Sequence, residues 1–570
     1  MQALRTARQA LQSALDSYAD ACLTIADCSG SGLNLNDGQN VSAFMNSELE
    51  QYTAIEEKTA RVGRLLGRAK NSLTSLVPIH SLPDDVLLHI FRLVMVEELS
   101  HFEDVVDGVV PRMVILATSQ VCSRWRQITL SSKSLWSEIK HTLSRKISPL
   151  GEIFASRSGD LPVNIRVIEP HTRWHHDYSR HSISRFFAEV GPRLASFELA
   201  MLPPLGTRPQ WPLTYFYILA SCFKRCVPGQ LTRVTLSDRN ISSDRRLGDE
   251  YFESSAHCFF FPRMAIPQGF DHRSPAIRLD DTLLHFEDVF THVKVLGLDS
   301  IYPFWASKAY HGLTELRLTG PRQLTTVITI QELADILGSS PELRFLHFGL
   351  EVSPAEAEPY PVHLRDLEVF ILHSLHHDTQ QAVLKLIAPG LKPLQMSTMY
   401  NKSQLQRLPA SFHDEFYQFF RRSNISYLEV FGMLLPVELP KLLELLPNLQ
   451  TLIFRQVTFE KIELFNRESA VAPTCPQLRS LHLRCCTFNL ETLRWMVNTY
   501  DLQEVTLYHS EIDPNPPGRE TEFLPLLLNI CPFVQCLDHD SAIGIGDRVL
   551  ALSDIYSRDT SAYVTDYMLH

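Results

Sequence analysis

A short apolar pattern, L-x-x-L-x-L, returns ten times between residues 194 and 507, with Leu, Val, Ile or Phe at its three fixed places. Six of the nine intervals between successive copies are 20 to 30 residues long, and such a period is typical of stacked units that each hold a strand and a helix. One unit has too little apolar surface to fold alone, so neighbouring units must stack. The ten copies are Leu194-Phe197-Leu199, Leu231-Val234-Leu236, Val293-Leu296-Leu298, Leu313-Leu316-Leu318, Leu343-Leu346-Phe348, Leu364-Leu367-Val369, Ile425-Leu428-Val430, Leu449-Leu452-Phe454, Leu478-Leu481-Leu483 and Leu502-Val505-Leu507.

Helical stretches lie between the copies, for example at 330–337, 437–446 and 490–500. This cycle of strand, turn, helix and turn resembles a degenerate leucine-rich repeat, whose units stack into an α/β solenoid with a horseshoe form. The two long intervals, which follow Leu231 and Leu364, are predicted to hide a further copy or an insertion. A doubly wound sheet is less favoured, because the strands lack the Gly-rich phosphate turns that such folds commonly use.

Composition and charge exclude several classes of protein. The 570-residue chain is 45% apolar and 21% charged, which is the ordinary range of a globular protein. Its net charge of −11 provides no positive field for a phosphate backbone, so we expect no nucleic acid partner. No stretch approaches the roughly 20 apolar residues of a membrane helix, so we expect no membrane association. Eleven scattered cysteines indicate a reducing compartment and not a disulfide framework.

The common sequence motifs of nucleotide, hydrolase and zinc chemistry do not occur in the chain. We therefore expect no catalytic residues, no metal ligands and no cofactor. Cys222 with Cys226, and Cys485 with Cys486, are interpreted as buried thiols, because no further Cys or His lies near them at the spacing of metal ligands.

Residues 1–27 and 44–76 are predicted to form a helical hairpin around a breaker rich in Gly, Ser and Asn, Cys28 to Asn40. The second helix carries a heptad seam of about three heptads. The seam either packs within the hairpin or on the next domain, or it joins two copies in a short coiled coil. Its members are Tyr52, Thr59, Leu66 and Leu73 at one heptad position and Ile55, Val62, Ala69 and Leu76 at the other.

The segment 79–99 is predicted to be a helix that starts at Pro83, with Asp84 and Asp85 at the positive end of its dipole. An acidic connector, 97–111, and a second helical run, 113–129, follow. Three blocks stand out: Leu82-Pro83-Asp84-Asp85-Val86-Leu87-Leu88-His89-Ile90-Phe91, then Val121-Cys122-Ser123-Arg124-Trp125-Arg126, then Leu135-Trp136.

The order and chemistry of these blocks resemble the F-box, the helical module that docks on the Skp-family adaptor of cullin-RING ubiquitin ligases. The connector is longer than is usual, as in fungal F-box proteins that also start with a helical segment. The resemblance implies a non-catalytic substrate-recognition subunit of an SCF-type ligase, with an adaptor and a cullin scaffold as partners, in the cytoplasm or the nucleus. The adaptor-binding residues that it implies are Leu82, Pro83, Val86, Leu87, Ile90, Phe91, Val121, Trp125 and Trp136.

Two alternatives to this interpretation stay open. The three blocks could form a small helical subdomain whose leucines make only its own core. The chain could also be a leucine-rich-repeat scaffold that binds partners without directing ubiquitination. The client protein and its modification are not defined by the sequence.

Client binding is expected on the repeats. In each copy the leucines face inward, and the residue between the last two, with the one after the last, is predicted to face the exposed surface. Over the last four copies this pattern places aromatic and Arg side chains in one row, about 4.8 Å apart. Such a row could bind an acidic or phosphorylated client segment, or it could be a solvated polar row balanced by nearby glutamates. The candidate client-binding residues are Phe431, Arg455, His482, Arg484 and Tyr508.

The predicted fold is therefore an α+β repeat protein with four parts. They are a helical segment at 1–77, a three-helix F-box at 78–140, a solenoid of leucine-rich-repeat type at 141–540 and a C-terminal tail at 541–570.

Overall fold

The computed structural model divides the chain into two compact units. One unit contains Met1–Ile90 and Thr118–Ile128, and the other contains Phe91–Ala117 and Thr129–His570. The four predicted domain limits stay a prediction, and the tail 541–570 lies outside the described residues. No helix in the part of the chain that the structure describes is long and apolar enough to span a membrane. The described residues are 2–28, 35–72, 78–100, 114–141, 148–169, 180–201, 211–238, 258–262, 276–279, 282–320, 327–354, 359–373, 376–399, 410–432, 439–457, 459, 475–512, 528–529 and 533–537.

Helices occupy the first part of the chain and then alternate with strands. They are α1 (Gln2–Cys28), α2 (Leu35–Ser72), α3 (Asp84–Ser100), α4 (Val114–Val121), α5 (Ser123–Ser131), α6 (Ser148–Arg157), α7 (Arg180–Val190), α8 (Trp211–Phe223), α9 (Leu283–Phe290), α10 (Ile330–Gly338), α11 (His377–Leu386), α12 (Ala410–Arg422), α13 (Leu439–Glu444) and α14 (Leu490–Tyr500).

The second N-terminal helix is longer at its start than the sequence predicts. Helix α2 begins at Leu35, inside the predicted breaker, of which residues 29–34 lie outside the described part. Gly38 costs only about 1 kcal/mol relative to Ala, which a 38-residue helix tolerates. Residues 73–77, with the two last seam leucines, are not described.

The strands are short and nearly all lie in one parallel sheet. They are β1 (Glu138–His141), β2 (Val163–Glu169), β3 (Leu194–Met201), β4 (Arg233–Asp238), β5 (Cys258–Pro262), β6 (Ala276–Leu279), β7 (Val295–Asp299), β8 (Ile301–Pro303), β9 (Glu315–Thr319), β10 (Val327–Thr329), β11 (Phe345–Phe348), β12 (Glu351–Ser353), β13 (Val362–Leu364), β14 (Val369–Leu372), β15 (Ile387–Pro389), β16 (Leu394–Met399), β17 (Ile425–Phe431), β18 (Thr451–Arg455), β19 (Ser480–Arg484), β20 (Thr487–Phe488), β21 (Glu504–Tyr508), β22 (Glu511–Ile512) and β23 (Val534–Leu537).

The main sheet has fourteen strands, in the order β1-β2-β3-β4-β7-β9-β11-β14-β16-β17-β18-β19-β21-β23. Strand order thus follows sequence order, and each strand pairs in parallel with the one before it in this series. Parallel strands need crossover connections, and the helices between β2 and β21 lie in those connections. The chain is therefore a mixed α/β protein with N-terminal helices and a large parallel sheet.

One buried apolar side chain from every strand of this sheet lies in a single row across it. Complete burial of such a side chain contributes roughly 1.5–3 kcal/mol, so the row accounts for much of the attraction between neighbouring units. In register from β1 to β23 it consists of Ile139, Ile165, Phe197, Val234, Leu296, Leu316, Leu346, Phe370, Met396, Leu428, Leu452, Leu481, Val505 and Val534.

In nine of the ten predicted copies the middle residue of the pattern lies in this row, and in one copy it does not. Phe370 pairs with Leu346, so the copy assigned to Leu364-Leu367-Val369 is instead Leu367-Phe370-Leu372. The interval after it hides a further strand, β16, whose Met396 lies in the row between Phe370 and Leu428. This strand falls outside the pattern that we searched, because Met396 stands at the middle place and Thr398 at the last. The register also shifts between Leu394 and Gln395.

The other long interval holds an insertion. Strands β5 and β6 join β8 in a separate three-stranded sheet, away from the main series. Its aromatic side chains Phe259 and Phe260 are buried. The Phe260 ring stacks on Phe223 of α8 and meets Phe286 of α9 edge-on.

Candidate functional site

Helix α3 begins where the first of the three blocks predicts, directly after Pro83. Asp84 and Asp85 lie in its first turn, and the Leu87 amide donates to the Pro83 carbonyl at 3.1 Å. The helix start is held by Arg124 of α5. Its Nε and Nη2 donate to Asp84 Oδ1 at 2.9 and 2.6 Å, and Nη2 also donates to the Leu82 carbonyl at 2.6 Å. This contact fixes the first block against the second.

The residues predicted to bind an adaptor divide into buried and exposed sets. Leu87, Phe91 and Trp136 are buried, with 0%, 4% and 0% of their surface exposed. They form core in this structure, and their burial leaves no surface for a partner to dock on.

The exposed set lies entirely in the first unit. Val86 and Val121 are 39% and 55% exposed, and Pro83 is exposed as well. Leu82, Ile90 and Trp125 are half-buried. These six residues are the part of the predicted site that a partner could contact.

Helical geometry explains why neighbours in the first block separate in this way. Successive residues of a helix are 100° apart, whereas residues four apart lie on one face. Leu87 and Phe91 share the buried face, and Val86 and Ile90 share the adjacent one. Together the four positions make an apolar stripe that is too wide to be buried on one side. Farther along α3, Leu93 and Val94 are also exposed.

Trp136 is held on several sides within the second unit. Its indole Nε1–H donates to the Thr129 carbonyl at 2.8 Å, and Phe154 meets the ring edge-on with centroids 4.9 Å apart. The guanidinium of Arg157 lies 4.3 Å from the ring centroid. Trp136 is therefore an internal anchor between the end of α5 and the start of the sheet.

The arrangement of three short blocks, a Pro-initiated helix and an exposed apolar face can be compared with known domains. Residues 79–142 match the F-box-like family model. This match supports an F-box protein, and an F-box in general indicates binding to a Skp-family adaptor as a substrate receptor of an SCF-type ligase. F-box proteins are typically non-catalytic. No curated protein matches this chain.

The predicted client row lies in register on four neighbouring strands. Phe431 pairs with Arg455, Arg455 with Arg484, and Arg484 with Tyr508. All four side chains are half-buried. The arginines are not bare cations, because the Arg455 guanidinium lies 5.5 Å from the Phe431 ring centroid and that of Arg484 lies 5.2 Å from the Tyr508 ring centroid. Stacking of this kind holds a guanidinium while leaving its edge able to donate hydrogen bonds.

A repeated turn fixes the end of each strand in this row. The residues just after β18, β19 and β21 are Gln456, Cys485 and His509, and their φ angles are 55°, 50° and 46°. The Gln456 amide donates to the Arg484 carbonyl at 2.8 Å, and the Cys485 amide donates to the Tyr508 carbonyl at 2.7 Å. Residues other than Gly adopt this left-handed conformation at a cost of roughly 1–2 kcal/mol. The hydrogen bonds between neighbouring turns hold the residues in it despite this cost.

The position between the two last leucines is buried, contrary to the sequence expectation. His482 is only 6% exposed, and Glu429, Ile453 and Thr506 on neighbouring strands are buried beside it. Burial is the main cause that lowers the pKa of His482. The negative charge of nearby Glu504 opposes this shift, and the positive charge of Arg484 adds to it. His482 therefore is a neutral, buried ring two residues before Arg484 on β19. The prediction that its side chain lies on the surface is wrong. Alternation alone could not reveal this, because both faces of a parallel sheet are commonly covered.

The part of the chain that the structure describes contains no group of three or more His, Cys, Asp or Glu side chains that could hold a metal ion. Cys222, Cys226 and Cys486 are buried, while Cys485 is half-buried. Burial raises the pKa of Cys486 to about 12, so this thiol is protonated near neutral pH and is a poor nucleophile.

Proposed function

We propose that this chain is the substrate-recognition subunit of an SCF-type cullin-RING ubiquitin ligase. In this proposal the residues that dock on a Skp-family adaptor are Leu82, Pro83, Val86, Ile90, Val121 and Trp125. The adaptor joins the chain to a cullin scaffold in the cytoplasm or the nucleus. The observation that carries it is the exposure of Val86 and Val121 within the segment that matches the F-box-like family. Apolar anchors at the centre of an interface supply most of its binding energy.

The mechanism requires no catalytic group on this chain. A separate conjugating enzyme carries ubiquitin, and the receptor raises the local concentration of client lysines beside it. The rate gain comes from proximity and orientation, so the receptor must hold the client and the adaptor together for the time of transfer.

We propose further that the main sheet is a leucine-rich-repeat solenoid that binds the client. The sequential strand order and the apolar row across all fourteen strands support stacked repeats. The client row is Phe431, Arg455, Arg484 and Tyr508, whose guanidiniums are oriented by aromatic rings. Arg favours bidentate contacts with carboxylate and phosphate groups, so the favoured client segment is acidic or phosphorylated.

Adaptor docking is tested by affinity measurements on the full chain with a purified Skp-family adaptor. Val86→Asp and Val121→Asp each place a charge on the proposed interface, and we expect at least about 2 kcal/mol of lost binding, or roughly 30-fold in Kd. Val327→Asp is the matched control, because Val327 is 48% exposed on β10, outside the F-box. Unchanged affinity for both F-box variants would contradict the docking surface.

The ligase role is tested by reconstitution with the cullin complex and ubiquitin. Retention of the adaptor without recruitment of the cullin would favour the alternative role of a scaffold that does not direct ubiquitination.

The client row is tested with a library of phosphorylated peptides and their unphosphorylated counterparts. The full chain should enrich the phosphorylated or acidic members, and Arg455→Ala with Arg484→Ala should remove this preference. Arg479→Ala is the control, because Arg479 is exposed in the same repeat as Arg484 but at the other end of its strand. Equal capture by parent and double variant would mean that the row is only a solvated surface.

A further inference from the structure

The two N-terminal helices expose large apolar side chains along most of their length. Single exposed apolar residues are ordinary on a protein surface, but a concentrated set marks an interaction surface. Nearly every described side chain of α1 and α2 is exposed. The large apolar ones are Leu4, Leu11, Leu23, Phe44, Leu49, Tyr52, Ile55, Val62, Leu65 and Leu66.

The helices touch each other near their linker and leave an open groove there. The Tyr18 hydroxyl of α1 donates to Glu48 of α2 at 2.9 Å, and the Tyr18 ring stacks on Tyr52 with centroids 6.4 Å apart. A groove of about 630 Å³ runs between them, lined mainly by apolar side chains such as Leu15 and Phe44. The pair therefore does not complete its own core, because a packed helix interface has few voids larger than a water molecule.

Charge is divided between the two ends of this helical pair. Residues 16–20 of α1 lie beside 48–52 of α2, so residues 5–8 fall at the level of the later part of α2. The half near the linker is acidic and the far half is basic. The acidic side chains are Asp16, Asp20, Glu48, Glu50, Glu56 and Glu57, and the basic ones are Arg5, Arg8, Lys58, Arg61 and Arg64.

We propose that the helical pair binds the same pair of a second copy in antiparallel orientation. The acidic half of each copy then lies against the basic half of the other, and a two-fold axis makes the contact self-complementary. A parallel arrangement would place like charges together, which disfavours it. The exposed seam residues Tyr52, Ile55, Val62 and Leu66 lie between the copies, and the four helices form a bundle.

The available area is sufficient for a stable dimer. The 27 residues of α1 span about 40 Å, and a helix is about 10 Å wide. Two helices side by side thus offer on the order of 800 Å² per copy, which is the size of a standard protein interface. This inference depends on α1 and α2 alone and not on the proposed ligase role.

The mass of the full chain in solution tests the proposal. Sedimentation over a wide range of concentration should show reversible association to twice the 65.0 kDa of one chain. Val62→Asp with Leu66→Asp should weaken the dimer at least about tenfold in Kd, with unchanged helical circular dichroism because both residues are exposed. Val327→Asp, with similar exposure outside the helical pair, should leave the dimer intact.

Charge reversal tests the orientation. Counted over these side chains, Lys58→Glu with Arg61→Glu lowers the charge of the basic half from +5 to +1, and Glu50→Lys with Glu56→Lys changes the charge of the acidic half from −6 to −2. Each variant alone should dimerise more weakly than the parent, and an equal mixture should recover a mixed dimer. A chain that stays monomeric, or a dimer that none of these changes weakens, would overturn the proposal, as would binding of the groove to a different protein by a monomeric chain.

Discussion

Replacing Trp136 with Ala removes a side chain that is completely buried and that the sequence had suggested as an adaptor contact. Large-to-small changes of Trp in a core cost about 3–5 kcal/mol. The lost hydrogen bond to the Thr129 carbonyl adds about 1 kcal/mol, and the lost contact with Arg157 adds about 0.5–1 kcal/mol. We expect the free energy of unfolding to fall by roughly 4.5–7 kcal/mol, which is a large part of the stability of a domain.

Trp136→Phe is the milder variant for the decisive measurement. It keeps a ring next to Phe154 but loses the indole N–H, so we expect a loss of about 1–2 kcal/mol of unfolding free energy. Urea unfolding followed by circular dichroism measures this loss. Under conditions where the protein is folded, the Kd for the adaptor should stay within about twofold of the parent, a change below 1 kcal/mol.

Val121→Asp should show the opposite pattern, with weak adaptor binding and an unchanged unfolding free energy. This contrast separates a core residue from a docking residue. If Trp136→Phe weakened the adaptor as strongly as Val121→Asp and left stability unchanged, the assignment of Trp136 to the interior would be refuted.

Three further changes test the sheet. Thr398 is buried among apolar residues and its Oγ1 has no hydrogen-bond partner among the described residues, so Thr398→Val should raise the free energy of unfolding by about 1–2 kcal/mol in urea titrations. Burial lowers the pKa of His141 to about 4, against an opposing effect of the Glu152 charge. In the unfolded chain the pKa of His141 is near 6.5, so this side chain binds more protons there than in the folded chain as the pH falls from 6.5 to 4. The stability present above pH 6.5 is therefore lost at up to about 1.4 kcal/mol per pH unit over this range. His141→Phe should flatten urea midpoints measured against pH, whereas the exposed His363→Phe should not. Gly390→Ala would drive a Cβ into the Arg365 backbone, and we expect a loss of about 1–3 kcal/mol in the same titration.

The repeats could be predicted well where apolar spacing alone determines the strand. The middle residue of nine copies, such as Leu452 and Leu481, occupies the row that crosses the sheet. The spacing failed at Leu364 because two overlapping frames both satisfy the pattern, and only pairing with Leu346 selects Phe370. Met396 was missed because Met fills the same core position as Leu but was outside the pattern searched.

Burial within the candidate sites could not be predicted from residue type. Leu87 and Val86 are neighbours of similar chemistry, yet one is core and the other surface, because the outcome depends on which helix face meets another element. In the sequence, Arg124 stood out only as a member of the second block. Its contact with Asp84 forms only when two segments forty residues apart in the chain meet. A basic residue in the second block and an acid at the start of α3 were the available signal for this ion pair.

The strand order of the main sheet bears on how the protein is made. Each strand of the series pairs with one that the ribosome has already released, so no strand must wait for a distant partner. Growth of the sheet from β1 towards β23 can therefore keep pace with synthesis, since elements made first can fold first. The growing edge is open to wrong pairing only until the next unit is made, because each new unit covers the edge left by its predecessor.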